Sequence, residues 1–158
     1  MKTLSNTIKW DLIIQNKYQI INVLFGVTGL YLLLFWLVPA LKIDELVMLV
    51  VFFDPSMLGM TFIGALVLFE KGDHTLEALV VTPIKLWQYL WSKAISLTIL
   101  AILSGILIAG IAHGWGNIRY ELFIPGIAMT SLLYAFMGLL LVANSESLNS
   151  YLIKVALV

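Results

Sequence analysis

The sequence predicts an all-α polytopic membrane protein with four transmembrane helices. Among its 158 residues, 61% are hydrophobic and 11% are charged, whereas about 25% of the residues in soluble domains are charged. The charged residues are clustered, and four long stretches contain almost none of them. Because about 20 helical residues cross a hydrocarbon core of about 30 Å, each stretch is long enough to span a bilayer. The predicted spans are residues 18–41, 46–69, 94–118 and 122–145.

The spans are predicted to be helices and not strands. Membrane-spanning strands alternate apolar and polar residues over about ten positions, whereas the run from Leu30 to Leu37 is apolar on every side. The net charge is zero, which gives no indication of a nucleic-acid partner. The absence of cysteine excludes a disulfide framework and a thiolate metal site. We therefore interpret residues 1–158 as a single transmembrane domain in contact with the lipid bilayer.

The N-terminal residues 1–17 are predicted to form an interfacial helix. Leu4, Ile8 and Leu12 recur at helical spacing, a pattern typical of a helix that lies on the membrane surface. Asp11 and Gln15 interrupt this apolar arc, so a plain polar leader is the alternative.

The basic residues predict how the chain is oriented in the cell membrane. Cytoplasmic loops are enriched in Lys and Arg, and seven of the nine basic residues fall on the side of the N-terminus. We therefore expect a cytoplasmic N-terminus, a cytoplasmic connection at residues 70–93, and two short turns outside. The seven are Lys2, Lys9, Lys17, Lys71, Lys85, Lys93 and Lys154, and the other two are Lys42 and Arg119.

The long connection, residues 70–93, is predicted to hold a short cytoplasmic helix between spans 2 and 3. Asp73 can cap a helix in which Leu76, Leu79 and Val80 share one face. An apolar face held outside the membrane needs a cover. Either a partner protein or the bilayer surface can supply it.

A second helix is predicted to follow the short one directly. Pro83 disfavours helical geometry at Thr82, so that the first helix ends there. Thr82 is a suitable N-cap and Pro83 suits the first helical position, so the next helix can run through Lys93 into the third span.

This connection resembles that of ABC-2-type transporter permease subunits, particularly the fluoroquinolone-export permeases. The family pattern has an acidic residue at the end of the second span, Thr-Leu-Glu-x-Leu, Thr-Pro, an aromatic-Leu pair and a Lys that opens the third span. His74 stands where the family usually has Gly. The residues that match are Glu70, Thr75, Leu76, Glu77, Leu79, Thr82, Pro83, Tyr89, Leu90 and Lys93.

The resemblance implies an ATP-driven exporter of small amphipathic molecules such as drugs. The partners that it implies are a separate ABC ATPase subunit and a second permease copy or half, in a homodimer or a heterodimer. Such permeases normally have six spans, so it also implies that a chain ending at Val158 is truncated, with residues 151–158 a candidate start of a fifth span. The implied ATPase-coupling residues are Glu70, Thr75, Leu76, Glu77, Leu79, Val80, Thr82 and Pro83.

Asp54, which precedes Pro55 in the second predicted span, is the candidate residue for a translocation pathway. A carboxylate within a span is costly unless it is paired, so function is the default hypothesis. The alternatives are that Asp54 caps backbone groups freed by the proline, or that it is neutral because burial raises its pKa.

No catalytic, metal or cofactor site is predicted. His113 has no further ligands nearby in the sequence, and His74 with Asp73 and Glu77 is interpreted as a solvated helix start. The sequence has no P-loop or nucleophile motif, so ATP hydrolysis is expected on another subunit. Two other classes stay open, which are an ion- or proton-coupled transporter or channel that uses Asp54, and a non-transporting membrane fragment.

Overall fold

The computed structural model describes residues 2–73, 85–116 and 118–157, and the regular elements in these ranges are all helical. The prediction of an all-α protein is therefore confirmed for this part of the chain. The helices are α1 (Lys2–Lys17), α2 (Ile20–Leu37), a 3-10 turn (Pro39–Leu41), α3 (Asp44–Gly72), α4 (Leu86–His113), α5 (Tyr120–Ala143) and α6 (Leu148–Ala156).

Helix α4 lies at the centre of the helical bundle. In its most apolar 18-residue stretch 61% of the residues are buried, against 28% in α5 and 22% in α2. Alanines on α4, including Ala94 and Ala101, are buried in the core against α3 and α5. Small side chains of this kind let membrane helices approach closely. Helices α3 and α5 therefore pack on α4 and on each other, while α2 lies outside them against α4.

Among the described residues, three helices, α2, α4 and α5, are long and apolar enough to cross a membrane. Their sequences lie within or overlap three of the predicted spans, so the chain is a membrane protein. The predicted span 46–69 lies inside α3, which has 29 residues. The count of four spans stays a prediction.

The ends of the helices differ from the predicted ends for local reasons. Helix α2 ends at Leu37 because Val38, which precedes Pro39, adopts a non-helical conformation. Helix α4 begins at Leu86, three residues after the predicted start at Pro83. Lys85 is extended, and its backbone N–H donates to the side-chain oxygen of Gln88 at 3.3 Å. This contact is half of a capping box and fixes the start of α4.

The N-terminal helix α1 packs on α4 with polar side chains as well as with Ile14, which lies against the core cluster that contains Ala94 and Leu97. Asp11 and Gln15 are buried, whereas Trp10 and Ile13 are exposed. The two residues that interrupt the predicted apolar arc are thus among those that contact the bundle. The chain turns from α1 into α2 at Gln19, whose φ of 63° is left-handed.

Helix α6 is held in the bundle by the side chain of Tyr151. Its ring is completely buried, and its hydroxyl donates to the backbone carbonyl of Met60. The ring lies against Gly64 of α3, and its hydroxyl lies close to Gly138 of α5. The absence of side chains at these two positions gives the aromatic ring its space.

Candidate functional site

Most of the predicted ATPase-coupling residues lie outside the described residues. These residues are Thr75, Leu76, Glu77, Leu79, Val80, Thr82 and Pro83. Their roles stay predictions. The residues on both sides of them are described, and so are Glu70 and Lys93, the first and last residues of the segment 70–93 that we call the coupling segment.

Lys93 is the centre of a buried group of charged side chains. It lies in the second turn of α4, and none of its side chain is exposed. Its ammonium group is 2.6 Å from a carboxylate oxygen of Glu70 in α3 and 3.2 Å from a carboxylate oxygen of Asp11 in α1. One cation therefore connects three helices, and it pairs the two ends of the coupling segment directly.

Hydroxyl groups complete the contacts of both carboxylates. The Tyr89 hydroxyl donates to the second carboxylate oxygen of Glu70 at 2.5 Å, and the Ser92 hydroxyl donates to the second carboxylate oxygen of Asp11. The Lys93 ammonium also lies 4.7 Å from the centre of the Tyr89 ring, a cation–π distance. We call Asp11, Glu70, Tyr89, Ser92 and Lys93 the charge cluster.

The charge cluster contains two carboxyl groups and one ammonium group, so it is not electrically balanced when both acids are ionised. Burial raises the pKa of the Asp11 carboxyl, although Lys93 and the Ser92 hydroxyl act in the opposite direction. The cluster can therefore tie helices together by charge and can hold a proton on Asp11.

Two further hydrogen bonds connect the N-terminal region with the coupling segment and α4. The Tyr18 hydroxyl donates to a carboxylate oxygen of Asp73 at 2.6 Å, just where α3 ends. The Gln15 amide donates to the Ser96 hydroxyl at 2.6 Å. The N-terminal region consequently contacts both the end of α3, at Asp73, and the first half of α4, at Ser96.

Sequence reasoning found Glu70 and Lys93 but missed Asp11, Gln15, Ser92 and Ser96. A signal exists, because Asp11 and Gln15 are four residues apart, as are Ser92 and Ser96. Residues at this spacing share one face of a helix. Two polar pairs of the same spacing, one on a surface helix and one at the start of a span, indicate faces that can pack together.

Asp54 lies in α3, whose helical run continues through Pro55. Its side chain is outside the described part of the structure. A role in a translocation pathway stays a prediction.

A pocket of about 590 Å³ lies between α3, α4 and α5, at the end opposite to the charge cluster. Its walls are mostly apolar and include Phe52 and Phe123, with Arg119 also lining the pocket. Nδ1 of His113 is 3.4 Å from a carboxylate oxygen of Asp44, and both residues line it. Sequence reasoning did not predict this pocket, because its residues come from distant parts of the chain.

The chain is similar to two curated proteins, the fluoroquinolones export permease proteins of two Mycobacterium tuberculosis strains. Each is 34% identical over 85 residues, which are 54% of this chain and 35% of the relative. The aligned segment thus covers about a third of the length of these relatives. No solved structure matches the chain significantly.

A comparison with protein families gives a match over almost the whole chain. The matched family is described as the fluoroquinolones export permease protein family, and the match covers residues 2–158. The predicted resemblance is confirmed, and the chain belongs to the fluoroquinolones export permease protein family.

Proposed function

We propose that the chain is the permease part of an ATP-driven, ABC-2-type exporter. The observation that carries this proposal is the family match over residues 2–158. The cargo in this proposal is a small amphipathic molecule, and the names of the two relatives suggest fluoroquinolones as the first compounds to test.

In the proposed arrangement α2, α3, α4 and α5 cross the cell membrane and the N-terminus is cytoplasmic. Helix α1 lies along the cytoplasmic surface, with Trp10 and Ile13 in contact with lipid. Their exposure on the side of α1 away from α4 supports this orientation, since apolar side chains of a surface helix enter the headgroup region.

The coupling segment is the proposed contact with a separate ABC ATPase subunit. Support comes from the way its ends are held, because the 2.6 Å pair between Glu70 and Lys93 brings them together. A segment whose two ends are held together can transmit a movement of a bound partner to the helices on either side of it. Glu70 is buried, so its part in this proposal is to hold α3 to α4 and not to contact the ATPase.

The cargo path is proposed to involve Asp54 and to end at the pocket between α3, α4 and α5. A volume of about 590 Å³ is in the range of small-molecule sites, which combine apolar walls with a few polar groups. Asp44, His113 and Arg119 are the polar groups here, and they suit an amphipathic molecule that carries charge.

A second permease copy or half is the proposed partner within the membrane. Helices α2 and α5 carry large apolar side chains that are exposed, such as Trp36, Met129 and Leu140. Lipid or another permease half can cover these faces.

The coupling proposal is tested with Leu79→Asp in the complete permease. A carboxylate at this position would be desolvated at the contact with the ATPase, and desolvating a charge costs free energy. We expect Leu79→Asp to abolish co-purification of the ATPase, while Leu79→Met, which keeps an apolar side chain, retains it. Membrane abundance of both variants should equal that of the wild type.

Crosslinking supplies an independent measurement of the same contact. A single cysteine at Glu77 should crosslink to the ATPase in active membranes. If the wild-type background gives no ATPase crosslink while export continues, the ATPase proposal is wrong and an ion-coupled transporter is favoured.

A further inference from the structure

The N-terminal helix α1 and the residue that follows it contact both ends of the coupling segment. Asp11 contacts Lys93 and Ser92 where the segment enters α4. Tyr18, immediately after α1, donates to Asp73 where the segment leaves α3. These contacts join positions more than 50 residues apart, with separations of 82 for Asp11 and Lys93 and 55 for Tyr18 and Asp73.

Stability does not explain why charged residues form this attachment. Removing charges from water costs free energy, and well-packed apolar residues in place of a buried ion pair are often equally stable or more stable. Yet the ammonium group of Lys93 is completely buried, and Asp11 and Glu70 are almost so. Ion pairs differ from apolar contacts in that they fix one register between their helices. The arrangement of the charge cluster therefore indicates that it positions α1, α3 and α4 relative to one another.

We propose that Asp11 and Lys93 are positioning residues that fix α1 to the two ends of the coupling segment, so that α1 moves with this segment during transport. The link to transport rests on the function proposed above, whereas the attachment of α1 to the segment does not.

Asp11 is the residue whose replacement tests the attachment most cleanly. Asp11→Leu removes the contacts with Lys93 and Ser92 but leaves Lys93 paired with Glu70, so that no cation is buried alone. Asp11→Asn is the conservative variant, because its amide oxygen can still accept a hydrogen bond from Lys93 while its amide nitrogen can donate to the Ser92 hydroxyl oxygen. Asn16→Leu is the matched control, since Asn16 is an exposed polar residue on the same helix.

Hydrogen–deuterium exchange of the purified complete permease measures the attachment without any partner. For Asp11→Leu we expect exchange of the amides at residues 70–73 and 85–93 to rise by about five-fold or more, in the range of typical coupling between sites. Asp11→Asn should exchange no faster than the wild type, and Asn16→Leu should exchange like the wild type. Unchanged exchange in Asp11→Leu would overturn the inference, whatever binds the segment.

Reconstitution with the ATPase measures the consequence for transport. At equal membrane abundance, Asp11→Leu should lower both the crosslink from a cysteine at Glu77 and the export of ciprofloxacin by about five-fold or more. Asp11→Asn should restore both, which a mere loss of folded protein would not allow. A normal crosslink and normal export in Asp11→Leu would contradict the inference.

Two outcomes separate this inference from the proposed function. If even the wild type gives no ATPase crosslink, the proposed function fails, and the exchange measurement alone decides whether α1 is attached. If Asp11→Leu does not accumulate, Tyr18→Phe replaces it, because this variant removes only the hydrogen bond to Asp73. Exchange at residues 70–73 should then rise, and an unchanged rate would overturn the inference.

Discussion

Lys93 illustrates how a charge is accommodated in an apolar bundle. Each ion that is moved out of water costs several kcal/mol even after relaxation. The contacts with Glu70, Asp11 and the Tyr89 ring offset this cost for Lys93. Both carboxylates in turn have a hydroxyl donor on their second oxygen. Removing Lys93 alone would leave two acids buried together without a cation.

The pKa of Asp11 predicts how the stability of the cluster depends on pH. Burial, the largest cause, raises this pKa above its value of 3.8 in the unfolded chain. Protonation of Asp11 therefore favours the folded state. This contribution to stability is fully present below pH 3.8 and is lost as the pH rises through the folded pKa.

Asp11→Asn should remove this pH dependence, because an amide has no proton to lose. We expect the thermal unfolding temperature of Asp11→Asn, relative to the wild type in detergent, to increase as the pH rises from 4 to about 8. A difference that stays constant or decreases over this range would contradict the expectation.

At the scale of elements, hydropathy locates the helices well because the bilayer sets their length. The predicted spans 18–41, 94–118 and 122–145 overlap α2, α4 and α5. Their ends shift by several residues, since Pro39 ends α2 and the contact between Lys85 and Gln88 starts α4. Such end effects depend on local geometry that a hydropathy average does not contain.

The pairing of elements is less predictable than their positions. The pattern of α1 predicts a helix on the membrane surface, but it does not predict that Asp11 and Gln15 contact α4. Whether a polar residue faces water or a partner depends on a helix that lies about 80 residues away in the chain. The motif at Glu70 and Lys93 could be recognised, but their pairing with Asp11 could not.

Helix α6 depends on a glycine of α3 for its position. A Cβ atom at Gly64 would lie 2.0 Å from the Tyr151 ring, so Gly64→Ala should displace α6. We expect a loss of about 1–3 kcal/mol, as for other overpacked cores. Thermal unfolding in detergent measures the loss, and Gly64→Ala should cost less stability in a Tyr151→Ala background, where the ring is absent.

Gly26→Ala is the matched control for this prediction, because Gly26 also lies within a helix and no atom lies within 4 Å of a Cβ placed there. Its stability should be unchanged or should increase by up to about 1 kcal/mol. Equal effects of Gly64→Ala and Gly26→Ala would mean that Tyr151 does not hold α6.

For the whole molecule, the two ends of the bundle differ in charge. The charge cluster joins α1, the end of α3 and the start of α4, and Lys71 and Glu146 line a shared pocket at this end. Asp44, His113 and Arg119 lie together at the other end. Without Lys93, which is paired and buried, six basic residues remain in the count for the first side. Six against two still predicts that the end with the charge cluster is cytoplasmic.

Single cysteines test this orientation, because the chain contains no cysteine of its own. Gly72 and Gly116 lie at opposite ends, are exposed, and have nothing within 4 Å of an added Cβ. Replacing either glycine removes no charge, so the basic residues that set the orientation stay in place. In intact cells an impermeant maleimide should label Gly116→Cys and leave Gly72→Cys unlabelled, whereas permeabilised cells should allow both to react. The reverse pattern in intact cells would place the charge cluster outside and rule out its contact with a cytoplasmic ATPase.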